Sequence, residues 1–271
     1  MIKLHAFYLY AFLTALLLIS APAYAAPHTP DTLEPFITGL QICGAVSYDR
    51  AGNVYISEWS NRRVGIYNRS GESAGIIEGI GDPSGSVFDS EGNFYVSSYS
   101  YGRVWSIAPD GSKSVYAEGF DVPAGLAWID GCLHVCSRDA DEVVRIEKDG
   151  SKSVLASGLP QPVSLLKLRD GSYIISCLSG SPRRLAPDGT MAVFIPEITA
   201  SGINIIPDGS DAFILCVISD GTVERITLDK KRTVLAGGFS TPIGVARCPD
   251  GRIIFDSWGE GAAYIIKPQD I

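Results

Sequence analysis

Two short stretches of the sequence combine a carboxylate with an indole, the residue types of a ligand-binding or acid–base site. The first is "SEWS", with Glu58 and Trp59, and the second is "FDSW", with Asp256 and Trp258. Two neighbouring carboxylates can hold a divalent cation such as calcium or zinc, or share a raised pKa for general acid–base catalysis. The indoles can flank an organic ligand. Whether the two stretches meet depends on the elements that carry them.

Those elements are set by an internal repeat of about 40 residues. Its marker is a glycine in a turn-like setting, which recurs at Gly52, Gly92, Gly131, Gly171, Gly209 and Gly251. Each repeat contains up to four segments of about five residues, rich in β-branched and aromatic side chains, such as "NVYIS" and "RVGIY". Such segments, separated by Asp-Gly turns, are typical of antiparallel strands.

Six repeats of four strands predict an all-β protein, a six-bladed β-propeller in which each repeat is one blade. The sixth repeat ends after its third strand, and "EPFITGL" (34–40) near the N-terminus resembles the fourth strand "SVLASGL" (153–159). We therefore expect the N-terminal strand to complete the last blade and close the ring, so that no edge stays unpaired. The predicted organisation is a signal peptide over 1–25, an N-terminal tail over 26–33 and a single propeller domain over 34–271.

The candidate site lies on the propeller face opposite the glycine turns, where the second strand of each repeat ends. The predicted strand-end residues are Glu58, Ser98, Ser137, Cys177, Cys216 and Asp256. The residues that follow them are Trp59, Tyr99, Arg138, Leu178, Val217 and Trp258. Because the sixth and first blades are neighbours in a closed ring, Glu58 and Asp256 are predicted to meet at the channel mouth as catalytic residues or metal ligands. The predicted ligand-binding residues are Trp59, Ser98, Tyr99, Ser137, Arg138 and Trp258.

Structural interpretations of the same residues stay open. Glu58 can pair with Arg62 or Arg63, and Asp256 can cap a turn. Cys177 and Cys216 can form a disulfide between blades or, with Cys43, a soft-metal site, although buried free thiols are the more common use of cysteine. His134 alternates within the strand "CLHVC", a position typical of packing.

The N-terminal segment predicts where the protein is located, and the net charge limits its partners. Lys3, an apolar run of about 15 residues and "AYA" (23–25) predict a signal peptide cleaved after Ala25, and hence a periplasmic or secreted protein. The run is shorter than the roughly 20 residues of a membrane-spanning helix, so no membrane anchor is expected. A net charge of −8 disfavours nucleic acid as a partner. A monomer is expected.

The six repeats, with second strands such as "NVYIS" and third strands "RRV" and "GRV", resemble the NHL-repeat propellers and the regucalcin–gluconolactonase family over nearly all of residues 34–267. The resemblance implies lactonase activity dependent on a divalent cation, held by a Glu, an Asn and an Asp before three inner strands. The matching positions here are Cys43, Ser201 and Ile243, so the family's ligand set is not present.

The sequence therefore predicts an exported propeller that binds a small organic molecule at the channel mouth. The alternatives are a metal-assisted lactone or ester hydrolase, in which Glu58 and Asp256 supply the oxygen ligands, and a protein-interaction scaffold.

Overall fold

The computed structural model describes residues 26–271, and the predicted signal peptide lies outside them. This part of the chain is all-β. Its first strands are β1 (Ile37–Thr38), β2 (Cys43–Tyr48), β3 (Val54–Glu58), β4 (Arg63–Tyr67), β5 (Ser73–Ile77), β6 (Pro83–Phe88), β7 (Phe94–Ser98), β8 (Arg103–Ile107), β9 (Lys113–Glu118), β10 (Pro123–Ile129), β11 (Cys132–Ser137) and β12 (Glu142–Ile146). They are followed by β13 (Lys152–Ser157), β14 (Pro162–Lys167), β15 (Tyr173–Cys177), β16 (Arg183–Leu185), β17 (Met191–Val193), β18 (Ser201–Asp208), β19 (Ala212–Val217), β20 (Thr222–Thr227), β21 (Arg232–Gly237), β22 (Pro242–Arg247), β23 (Ile253–Ser257) and β24 (Ala262–Ile266). Short 3-10 turns cover Tyr99–Tyr101 and Pro268–Asp270.

The strands form blade-like groups of four, each an antiparallel meander, and all but the last group follow chain order. Four of the groups are separate sheets, β2–β5, β6–β9, β10–β13 and β14–β17. The remaining strands form one eight-stranded sheet, in which β18–β21 and the group β22–β23–β24–β1 are joined by a single parallel pairing of Ile203 with Gly244. This arrangement is consistent with a propeller, and the groups are called units one to six below.

The N-terminal strand completes unit six, as the sequence predicts. β1 pairs antiparallel with β24, with Ile37 opposite Ala263, and the Phe36 N–H donates to the Ala263 carbonyl at 2.8 Å. The predicted tail is also held in place, because His28 exchanges backbone hydrogen bonds with the outer strand β21 of unit five. The first described residues are thereby built into the last two units.

The repeated glycines in turn-like settings lie at the turns between the first and second and between the third and fourth strands of the units. Gly52 and Gly251 have φ values of 84° and 89°, which glycine adopts without strain. The backbone can therefore reverse tightly at both positions.

The inner strands of successive units approach each other so closely that glycine is required between them. A Cβ added to Gly125 of unit three would lie 1.8 Å from the Val163 carbonyl oxygen of unit four. Gly244 of unit six has the same relation to unit one, with the Gly44 carbonyl oxygen 2.4 Å from the added Cβ. Because real Cβ atoms do not come this near to backbone, these contacts depend on the absence of a side chain.

The core consists of apolar side chains packed between adjacent units, among them Ile56, Val96, Val135 and Phe213, each at most 1% exposed. Within residues 26–271, no helix has the length and apolar character needed to cross a membrane.

Candidate functional site

A cavity of about 260 Å³ opens on the face opposite the Asp-Gly turns, and we call it the channel-mouth cavity. One side is aromatic, with Trp59, Tyr99 and Trp258, and carries the Arg138 guanidinium. The rest of the wall comes from the inner strands and the segments before them, with Ile42, Cys43, Gly44, Pro83, Ser84, Ala124, Val163, Leu178, Ile203 and Ile243. Four residues predicted from sequence as ligand-binding thus line one cavity.

The aromatic residues are fixed by the strand ends that precede them. The Trp59 N–H donates to the Ile42 carbonyl at 2.9 Å, and the Trp258 N–H donates to the Thr241 carbonyl at 3.1 Å. The rings of Trp59 and Tyr99 meet edge to face, with centroids 6.3 Å apart. The Trp258 indole N–H donates to the Cys43 carbonyl, which ties unit six to unit one at the cavity wall. These contacts hold the rings in place before any ligand arrives.

Arg138 is the cationic group of the cavity wall. Its guanidinium lies 4.8 Å from the centroid of the Tyr99 ring, a cation–π contact. Its Nε is 2.7 Å from Oδ1 of Asp139, so its charge is largely balanced within the loop. The cavity is consequently apolar and aromatic, with little net charge.

Ser98 and Ser137, also predicted as ligand-binding residues, are buried and do not line the cavity. The Ser98 hydroxyl donates to the Ile80 carbonyl at 2.6 Å, and the Ser137 hydroxyl donates to the Asp121 carbonyl at 3.2 Å. Both tie the end of a second strand to the segment that precedes the inner strand of the same unit.

Glu58 is fully buried and its carboxylate is held by its own unit. Oε2 accepts hydrogen bonds from the Asn61 amide at 2.6 Å and from the Arg63 guanidinium at 3.0 Å, and Oε1 accepts one from the Tyr67 hydroxyl at 3.0 Å. The carboxylate lies against Gly65, where an added Cβ would be 2.3 Å from Oε1. The pairing with Arg63 is the structural interpretation that the sequence leaves open.

Asp256 occupies a different strand position from Glu58, so the equivalence predicted from sequence is off by one residue. Glu58 lies opposite Cys43, whereas in unit six it is Ser257 that lies opposite the corresponding Pro242. Cys216 is displaced in the same way, because Val217 pairs with Ser201. In unit five the strand-end residue lies eight residues after the turn glycine Gly209, whereas it lies six residues after that glycine in the other units, which shifts the count.

The Asp256 carboxyl is fully buried. Its Oδ1 accepts the Gly244 N–H at 2.6 Å, and its Oδ2 has no hydrogen-bond partner. Burial raises the pKa of Asp256 to about 7, and hydrogen bonding to the Gly244 N–H and the Cys43 thiol only partly offsets this. The carboxyl is therefore close to half protonated at neutral pH.

Glu58 and Asp256 nevertheless come near the same side chain, the Cys43 thiol. Burial raises the pKa of Cys43 well above its usual range, and the negative charges of Asp256 and Glu58 raise it further. Cys43 is consequently a neutral thiol and not a thiolate nucleophile. Neither carboxylate lines the channel-mouth cavity.

The six cysteines are all free and buried, so no disulfide links Cys177 to Cys216. His134 is 1% exposed within β11 and its ring lies 6.3 Å from that of Tyr173, a packing position. In residues 26–271, no group of three or more His, Cys, Asp or Glu side chains could hold a metal ion.

Ile42 and Ile203 line the cavity but were not singled out from the sequence. Ile42 has a φ of 21° and directly precedes the inner strand, where the sequence draws attention to Cys43 instead. Ile203 lies beside an irregularity in the β18–β19 register, between Ser201 and Ile205. A shift of register of this kind leaves no clear signal in the sequence.

Solved structures with the same architecture include a gluconolactonase from Xanthomonas campestris, with a TM-score of 0.74, 15% identity and coverage of 85% of this chain and 87% of that chain. A calcium-binding regucalcin from Agrobacterium tumefaciens has a TM-score of 0.73 and 14% identity, covering 89% of this chain and 95% of that one. This chain shares the fold of these two proteins. A virginiamycin B lyase from Staphylococcus aureus also matches, with a TM-score of 0.63, 16% identity and coverage of 84% and 82%.

These structural neighbours belong to the NHL-like superfamily of six-bladed propellers, the resemblance noted from the repeats. Comparison with protein-family models and with curated proteins gave no match. At 14–16% identity, the likeness to the gluconolactonase–regucalcin propellers concerns the fold and leaves the chemistry to the site.

Proposed function

We propose that this protein binds a small organic molecule in the channel-mouth cavity. The observation that carries the proposal is the grouping of Trp59, Tyr99 and Trp258 on one side of a preformed cavity whose other walls are apolar. Small-molecule sites are typically concave and largely apolar, with a few polar groups that fix orientation. Arg138 and Ser84 supply those polar groups here.

The cavity also limits the chemistry of the ligand. Its volume of about 260 Å³ is slightly below the roughly 300–1,000 Å³ common for drug-sized ligands, which favours a molecule with one or two rings. Because Asp139 balances Arg138, a strongly charged ligand would lack a counter-charge. A flat, weakly polar molecule that stacks on the aromatic rings fits best.

We also infer that the six units form the blades of a closed ring. It is supported by the pairing of β1 with β24 and by the contact of Gly244 in unit six with Gly44 in unit one. The closed ring would place Trp258 next to Trp59 across the last blade boundary, which brings the two aromatic stretches of the sequence to one site.

The predicted setting of the protein belongs to the same proposal. An exported monomer, delivered by the signal peptide over 1–25, would meet small molecules outside the cytoplasm. Its net charge of −8 makes nucleic acid an unsuitable partner.

Metal-assisted hydrolysis of a lactone or ester is the alternative, and the gluconolactonase fold supports it at the family level. The residues present do not fit a catalytic calcium or zinc ion. Three donors already occupy the Glu58 oxygens, and Ile243 brings only carbon to a position where the family has a carboxylate.

A fragment screen by thermal shift tests the proposal. Fragments with one or two aromatic rings are expected to raise the melting temperature, by roughly 5–10 °C for a hit at about 100 times its Kd. Trp59→Ala should abolish the shift. Trp128→Phe, on the opposite face, should keep it.

If no fragment stabilises the protein, or if Trp59→Ala responds as the wild type does, the proposal is wrong. A protein-interaction scaffold then becomes the better interpretation.

A further inference from the structure

A second cavity, of about 470 Å³, lies between units one and two and shares no residue with the channel-mouth cavity. We call it the side cavity. Its walls include Ile80, Tyr101, Trp105 and two arginines, Arg62 and Arg103. The distinguishing feature of this cavity is the Arg103 guanidinium.

Arg103 and Arg63 are equivalent residues in successive units, each at the start of a third strand. Arg63 lies opposite Glu58 in its sheet and forms an ion pair with that carboxylate at 3.0 Å. Arg103 lies opposite Ser98, whose hydroxyl donates to the Ile80 carbonyl. Unit two thus retains the guanidinium of unit one and lacks its carboxylate.

Unit two also lacks the space that holds the carboxylate in unit one. In unit one, Gly65 leaves space for the Glu58 oxygens. The equivalent residue of unit two is Trp105, whose indole N–H donates to the Ile80 carbonyl at 3.2 Å. An aromatic surface therefore lies beside the guanidinium, in the place of an internal counter-ion.

The remaining neighbours leave Arg103 uncompensated. Its Nε is buried without a hydrogen-bond partner, and Glu118, opposite it on the outer strand, forms no ion pair with it. Arg62 lies 3.6 Å from Asp82, and both guanidiniums lie 5.8 Å from the centroid of the Tyr101 ring. Glu78 also lines the cavity, but it forms no ion pair with Arg62 or Arg103. The terminal amino groups of Arg103 form no hydrogen bond either and, unlike Nε, are not enclosed, so they are the donors that an anion in the cavity would meet.

We propose that the side cavity binds a small aromatic carboxylate, which pairs with Arg103 as Glu58 pairs with Arg63 and packs on Trp105 and Tyr101. The guanidinium fork matches a carboxylate in two hydrogen bonds. The aromatic side chains favour a ligand with an apolar body over a bare inorganic anion.

The test is a titration of the wild-type protein with benzoate and, separately, with inorganic phosphate, followed by NMR of the arginine Nε–Hε groups. The Arg103 signal is assigned as the one missing from Arg103→Lys. Benzoate should shift this signal saturably, and phosphate should not saturate it. Arg103→Gln should weaken benzoate binding at least tenfold, whereas Arg69→Gln, an exposed arginine of the turn face, should leave it unchanged.

Three results would overturn the proposal. They are no saturable shift with benzoate, saturation by phosphate alone, and unchanged benzoate affinity in Arg103→Gln. The variant Glu118→Gln tests whether Glu118 already neutralises the Arg103 guanidinium without a ligand. A change of the Arg103 signal in this variant, measured without ligand, would mean that it does, and would also overturn the proposal.

Discussion

Asp256→Ser is expected to stabilise the protein by up to about 4 kcal/mol at pH 8. The reason is that folding buries a carboxyl whose pKa is about 7, against 3.8 for the exposed group. Each pH unit of that difference corresponds to about 1.36 kcal/mol. The folded state binds the Asp256 proton more tightly than the unfolded state, so the contribution of Asp256 to stability falls as pH rises from about 4 to 7 and is lowest above 7.

Ser97, the equivalent residue of unit two, indicates why serine should serve well at position 256. The Ser97 hydroxyl accepts the Gly85 N–H at 2.8 Å and donates to the Ala124 carbonyl of unit three at 2.7 Å. Asp256 makes only the first type of contact, with Gly244, and leaves Oδ2 unpartnered. A serine can make both without burying a charge.

Urea unfolding of wild type and Asp256→Ser between pH 4 and pH 8.5 measures the effect. The two free energies of unfolding should be similar at pH 4 and diverge as pH rises. Asp110→Ser is the control, because Asp110 is exposed and a hydrogen bond from Ser112 lowers its pKa. A difference between the two free energies that does not grow from pH 5 to 7, or a variant destabilised equally at every pH, would contradict this account of Asp256.

Gly125→Ala is expected to destabilise the protein by about 3 kcal/mol or more, or to prevent folding. The added methyl group would lie 1.8 Å from the Val163 carbonyl oxygen, and this backbone cannot move without disturbing the inner strand of unit four. Overpacking of a rigid contact typically costs about 1–3 kcal/mol, and more where backbone must shift.

Gly75→Ala is the matched control for Gly125→Ala. Gly75 also lies in a strand, but the nearest atom to an added Cβ is the Ile66 Cδ1 at 3.7 Å. Urea unfolding followed by tryptophan fluorescence should show a change within about 0.5 kcal/mol for this variant. If Gly125→Ala were as stable as Gly75→Ala, the inner strands could not pack as closely as described.

The repeat made most of the fold predictable. Asp-Gly turns at a period of about 40 residues mark the strand reversals, and the likeness of "EPFITGL" to a fourth strand led directly to the pairing of β1 with β24. The strand register in units five and six was harder to predict from the sequence. Counting six residues from Gly251 leads to Ser257, which is the strand-end residue observed, but the similarity of "FDSW" to "SEWS" drew the prediction to Asp256.

The cavity residues were predictable where the path of the backbone alone decides which way a side chain points. Trp59, Tyr99, Arg138 and Trp258 follow the strand ends and turn toward the cavity. The burial of Glu58 depends on a neighbouring strand, because Gly65 supplies the space and Tyr67 a hydrogen bond. A glycine within the strand "RVGIY" is a signal of close approach, but it does not reveal which side chain approaches.

The measurement that tests the central claim most directly is a crystal structure of the protein soaked with a stabilising fragment and with calcium chloride. The account predicts electron density for the fragment in the channel-mouth cavity, in contact with Trp59, Tyr99 and Trp258, and no calcium at Glu58 or Asp256. A calcium ion bound by these two carboxylates, or a fragment bound only outside the cavity, would contradict it.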